Sequence, residues 1–149
     1  MPAQKMLDLL KRGEQFHQNL AAYYQRLGKE VRRTDVKHVL EYMQRHEEYL
    51  EHCFHEYQLD APKSVRDAWF RAAPTLDLDK MMRDATIDPE MRVDDVIAMA
   101  LHFDDCLIQL YRQFAEIAVS ENLRDALNTL LEMEREEERK AIWALQRCE

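Results

Sequence analysis

The sequence predicts an all-α fold, a bundle of four long helices built as two similar hairpins joined by a long crossover. Three observations carry this expectation. Apolar residues recur at alternating steps of three and four over four long segments, the spacing of one helix face in a bundle. The 149 residues include 2 Gly and 4 Pro, too few for a turn-rich sandwich or barrel. An ungapped shift of 87 residues lays the first hairpin on the second, Phe16 on Phe103, Leu20 on Leu107, Tyr24 on Tyr111, Leu40 on Leu127 and Glu47 on Glu134. The length reads as one domain, 1–149, able to bury a core without disulfides or a structural metal.

Helix one is expected over residues 3–31, with Gly28 as its late breaker. Its seam runs through Ala3, Met6, Leu10, Gly13, His17, Leu20, Tyr24, Leu27 and Val31. Thr34 and Asp35 offer an N-cap for helix two, about 35–57, with a seam of Val36, Leu40, Met43, Glu47, Leu50, Phe54 and Tyr57. The pattern then changes from about 58 to 92, where Pro62, Pro74 and Pro89 punctuate short apolar pieces at Trp69–Phe70 and Leu76–Met82. A structureless connection of that length is unusual in a compact domain. The crossover is therefore expected to carry one or two short helices and to lie across one face of the bundle, with no sheet.

Helix three is expected from Val93 to Val119, opened by Asp94 and Asp95, whose charge suits a helix N-terminus. One seam is Val93, Ile97, Ala100, Asp104, Leu107, Tyr111, Phe114 and Ala118. A phase one residue earlier, through Val96, Met99, Phe103, Leu107, Leu110 and Phe114, is wholly apolar and places Asp104 on a flank. Ser120 to Asn122 cap helix four, which runs to about Gln146 with a seam of Leu123, Leu127, Leu130, Glu134, Glu137, Ala141 and Ala144. The acidic run Glu132–Lys140 reads as an exposed face with i,i+4 pairs such as Glu136–Lys140.

Composition removes several function classes. Lys plus Arg is 21 against 29 Asp plus Glu, a net charge of −8, which is unsuited to a phosphate backbone and excludes nucleic acid as the expected partner. No apolar run approaches membrane-spanning length, and the opening residues lack a signal-peptide core, so a cytoplasmic protein without membrane association is expected. Cys53, Cys106 and Cys148 form no Cys-x-x-Cys and read as small apolar helix residues. Ser64 and Ser120 lie beside no His in sequence, and two glycines cannot build a phosphate loop. His46, His52 and His55 share a helix with acids, and His52–Glu56 has the spacing of a hemerythrin-type ligand pair. No His follows His102, so they are expected on a solvated surface.

Five ionisable residues interrupt the apolar seams: His17, Glu47, Asp104, Glu134 and Glu137. Each falls near the middle of its helix, so antiparallel packing would bring them to one level. Burying several carboxylates together is costly unless they are paired, protonated or bound to a cation. A divalent metal is the usual solution in a bundle.

The stretch AMALHFDDCLIQLYRQFAEIAVSENLRDALNTLLEMEREEERKAIW resembles the Ala-x-x-x-Glu…Tyr helix and the following acidic Glu-x-x-His helix of rubrerythrin-like proteins, members of the ferritin-like superfamily. RGEQFHQNLAAYYQRLGKEV and VLEYMQRHEEYLEH resemble the same pattern in the first hairpin, so the likeness spans roughly two thirds of the chain and omits the crossover. The resemblance implies a ferritin-like fold and a pair of metal ions held by one Glu on each first helix and Glu-x-x-His on each second. Glu47 and Glu134 match the Glu of the two motifs, and Leu50 and Glu137 stand where the family has His. His17 and Asp104 stand at the two single-Glu positions. An imidazole and four carboxylates could still serve one divalent ion, Fe or Mn, with waters completing its shell. The site could equally be vacant, with His17 protonated against the acids.

These readings give a ferritin-like protein with a degenerate metal site, holding at most one ion and not competent as a di-iron oxidoreductase. Two alternatives stand beside it: a metal-free interaction module, and an active di-iron protein handling oxygen or peroxide. Leu131, Met133, Ile142 and Trp143 lie off the helix-four seam and point to a homodimer. For a protein partner or dimer patch, Trp143, Ile142 and Leu145 with Tyr23, Tyr42 and Tyr49 are the expected surface.

Overall fold

The computed structural model describes residues 4–71, 74, 77–85 and 87–147. Ala3, Leu76 and Cys148 lie outside the described residues. The chain opens with β1 (Gln4–Lys5) and enters α1 (Met6–Glu30). A three-residue turn leads to α2 (Thr34–Asp60), and these two helices pack along their length. The crossover then carries α3 (Lys63–Arg66), β2 (Trp69–Phe70) and α4 (Leu78–Asp84). The second hairpin is α5 (Val93–Glu116) and α6 (Glu121–Gln146). The all-α architecture is as expected, and among the described residues no helix is long and apolar enough to cross a membrane.

The core explains why the seams could be drawn in two phases. Phe16 and His17 are both buried on α1, and α5 buries Val96, Phe103 and Leu110 from one phase with Ala100 and Tyr111 from the other. Helices α1 and α5 therefore each bury a face wider than a single seam. The repeat holds in burial too, because Phe16 and Phe103, Leu20 and Leu107, Tyr24 and Tyr111, and Leu40 and Leu127 are all buried.

The ends follow local chemistry. Ser120 caps α6 as expected, its Oγ accepting the Leu123 N–H at 3.2 Å. Asp95 accepts the Arg92 N–H at 2.9 Å at the start of α5. Helix α2 differs from expectation: Arg33 occupies the cap position, and Asp35, already inside the helix, accepts the Val36 N–H at 2.9 Å and meets the Arg33 guanidinium at 2.9 Å. The pair expected between Glu136 and Lys140 is also replaced. Arg139 bonds Glu136 at 2.9 Å and Lys140 meets Glu137 at 3.4 Å.

The crossover corrects the expectation of no sheet. Gln4–Lys5 pairs antiparallel with Trp69–Phe70, and the Met6 N–H donates to the Ala68 carbonyl at 2.9 Å. The ladder is a by-product of anchoring, because Phe70 is fully buried with its ring edge-on to Phe114 at 4.7 Å. Once that ring is seated, the chain beside it lies within hydrogen-bond reach of the strand entering α1. Leu78 and Met82 bury the inner side of α4 in the same core.

Candidate functional site

The midpoints of α1, α2 and α6 bring His17, Glu47 and Glu134 together inside the bundle. His17 and Glu47 are 0% exposed and Glu134 is 2% exposed. The His17 Nδ1 lies 2.5 Å from Glu47 Oε2, and its Nε2 lies 2.7 Å from Glu134 Oε1. An ionised carboxylate only accepts hydrogen bonds, so with both acids ionised both ring nitrogens must donate. That requires the imidazolium. Burial alone would push its pKa down, but the charges and hydrogen bonds of Glu134 and Glu47 prevail and hold it well above the ordinary histidine value. Phe54 covers the ring at 5.2 Å and Phe16 approaches it edge-on at 5.8 Å, closing the site to water.

Around this triad lie groups with unused hydrogen-bonding capacity. The Asp104 carboxyl on α5 is driven well above the usual carboxylate range by burial and then by Glu47 and Glu134, which His17 only partly offsets. Burial and the neighbouring acids thus favour the protonated form of Asp104. Its Oδ1 is sealed from solvent, as are Glu47 Oε1 and the Tyr24 and Tyr111 hydroxyls, and none has a hydrogen-bond partner among the described residues. Burial raises both tyrosines well above their usual range, reinforced by Glu47 and Asp104 at Tyr24 and by Glu134 at Tyr111. Glu138 is pushed up to about 7 by burial and by the nearby acids Asp105 and Glu134.

No family model and no curated protein sequence matches the chain. The structure superposes on a crystal structure of a candidate ferritin-like diiron-carboxylate protein from Thermotoga maritima. The two chains are 14% identical, with a TM-score of 0.58 over 98% of this chain and 97% of the other. The fold is ferritin-like.

In this ferritin-like bundle, the fit to a pair of metal ions can be judged from the donors. Both His17 nitrogens are engaged by carboxylates and offer no lone pair to a metal while they donate. Leu50 is buried at 3% exposure and has no donor atom. Glu137 keeps 15% of its side chain exposed and is paired with Lys140, away from His17. Among the described residues no three His, Cys, Asp or Glu side chains are grouped so as to hold a metal ion. The free donors here are fewer than the resemblance implies for a pair of metal ions.

Of the five seam groups, the structure thus joins His17, Glu47 and Glu134 directly, sets Asp104 against them, and leaves Glu137 at the edge. The two glutamates, equivalent in the repeat, meet the imidazole from opposite sides. Sequence reasoning passed over Tyr24 and Tyr111 as ordinary seam residues, although the repeat pairs them. It also passed over Glu138, paired by the same shift with Glu51. Gly13 was read only as a seam position. A Cβ there would stand 2.5 Å from Tyr111 Oη and 2.6 Å from Phe54 Cε1, so its missing side chain admits two rings beside the triad. His52 and His55 are exposed, as the surface reading expected, and His55 pairs with Glu14 at 3.1 Å.

Proposed function

We propose that this chain is a ferritin-like protein whose metal site has degenerated into a proton-centred one. The His17 imidazolium supplies the positive charge that Glu47 and Glu134 need, in the place where the resemblance puts metal ions. On this reading Glu47, Asp104 and Glu134 retain at most one weakly held divalent cation, and the protein is not a competent di-iron oxidoreductase. The observation that carries it is the engagement of both His17 nitrogens in a fully buried site. The protein then acts through its surface, as a homodimer or on a protein partner. Trp143 at 61% exposure and Tyr49 at 53% favour that role. Leu131, Tyr23 and Leu145 from the expected patch are instead buried in the core, and Tyr42 and Ile142 are half-buried.

The test is metal analysis of the purified chain together with thermal melting in chelator and then in Fe(II), Mn(II) or Zn(II). A tight site stabilises by ~2.7 kcal/mol at a hundredfold excess of metal over its dissociation constant, whereas a degenerate site leaves Tm unmoved at micromolar metal. Two irons bound per chain and oxidised in air would overturn the proposal.

A further inference from the structure

The outward side of α2 carries two stripes. The first is aromatic. Tyr42 stacks on His46 at 6.2 Å with the rings 5° from parallel, and His46 meets Tyr49 at 6.5 Å. Tyr49 is exposed, and Tyr42 and His46 are half-buried. The second stripe is charged: Lys37, Glu41, Arg45, Glu48, His52 and Glu56, all exposed, at steps of four, four, three, four and four. That spacing keeps the six on one flank of the helix.

Such residues commonly pair with one another along a helix. Here none of the six forms an ion pair among the described residues, and only the Glu48 side chain is engaged, accepting the Gln44 amide at 3.0 Å. The spacing of the six is the same read in either direction, and the order of charges turns to its complement when reversed. A second α2 laid antiparallel, about a two-fold axis level with His46 and Glu47, sets Lys37 beside the partner's Glu56. The same register sets Glu41 beside the partner's His52, whose ring can donate to it, and Arg45 beside the partner's Glu48. Each contact occurs twice by symmetry, and no like charges face each other. A two-fold axis perpendicular to both helices also lays aromatic flank on aromatic flank, with Tyr42 within about 3 Å along the axis of the partner's Tyr49. A parallel, in-register pair would instead set every charge against its own kind. A partner of one uniform charge would meet repulsion at alternate residues of the stripe. The pattern therefore selects a second copy of this chain, and the local pairing offsets the repulsion between two molecules of net charge −8.

We propose that the outer face of α2 is a homodimer interface, two copies packing antiparallel about a two-fold axis at His46 and Glu47. The inference rests on the reading that the chain acts through its surface, and it moves the contact from Trp143 on α6 to the charged and aromatic flanks of α2.

The test is sedimentation velocity of the full chain from low to high micromolar concentration, with charge-swap variants. The natural chain is expected to dimerise reversibly. Arg45→Glu sets a like charge against the partner's Glu48 twice per dimer and should weaken association at least tenfold, as should Glu48→Arg against the partner's Arg45. The double variant exchanges the two signs and should bring the affinity back to within a few-fold of the natural chain. Trp143→Ala should leave association unchanged. All these side chains are exposed, and unchanged melting at low concentration checks that each variant is folded. A monomer at every concentration, a dimer indifferent to the single reversals, one lost with Trp143→Ala, or a double variant as weak as the singles would each overturn the proposal. Metal analysis of the same samples separates the two readings. Two irons per chain in a dimer that obeys the charge swap would overturn the reading of the His17 site and uphold this interface, whereas a metal-free monomer would overturn the interface alone.

Discussion

Removing the imidazole of His17 would leave Glu47 and Glu134 as two buried carboxylates without a counter-charge. The residue therefore matters less for what it attracts than for what it prevents. Taking one partner from a buried ion pair costs ~3–5 kcal/mol, and His17 serves two partners. His17→Leu is expected to lose at least that much in urea unfolding. Replacing all three groups together, His17→Leu with Glu47→Met and Glu134→Met, should recover most of the loss, because no charge then remains to be compensated. A His17→Leu chain within ~1 kcal/mol of the natural one would show that the acids are not held by the ring. The five seam groups were legible in the sequence because they break an apolar stripe. That His17 would reach both glutamates was not, because periodicity places a residue on a face without saying which way its ring points.

Within α1 the two glycines make opposite demands, although both lie in helical conformation and no described residue has positive φ. Gly13 faces Tyr111 Oη and Phe54 Cε1 at less than van der Waals distance from any added Cβ. Gly13→Ala must push apart two fully buried rings, and overpacking of this kind costs ~1–3 kcal/mol. At Gly28 the nearest atom to an added Cβ is Leu40 Cβ at 4.0 Å, an ordinary contact. Gly28→Ala should stabilise by ~0.5–1 kcal/mol through helix propensity. Chemical denaturation of both variants checks the pair, and equal effects would refute the reading of Gly13 as a cradle. The same contrast marks the limit of sequence reasoning about the helices. Their existence and the Ser120 cap follow from local pattern. The cradle and the β1–β2 ladder follow from what another segment presses against them.

Taken as a whole, the molecule carries a formal charge of −8 and also buries acidic groups near its centre, so proton binding and folding are coupled in one direction. His17 has a folded pKa above its unfolded value of ~6.5, so its contribution is fully present below that pH and is lost as pH rises through the folded value. Asp104 and Glu138 are carboxyls raised in the folded state, so each adds stability at low pH that declines as pH rises from its unfolded pKa through its folded one. For Glu138 that window runs from 4.5 to about 7. All three therefore bind protons more tightly in the folded protein, and growing net negative charge adds self-repulsion in the same sense. Each proton held only by the folded state contributes a slope of at most ~1.4 kcal/mol per pH unit, and less for half-exposed Glu138. The expected outcome is a melting temperature that falls steadily from mildly acidic to alkaline buffer. Glu138→Gln should flatten the part between pH 5 and 7, and Asp104→Asn should flatten it without unfolding the chain. Circular dichroism melts at matched ionic strength measure this directly. A stability that rises with pH over that range would overturn the reading that Asp104 and Glu138 hold their protons more tightly in the folded protein than in the unfolded chain.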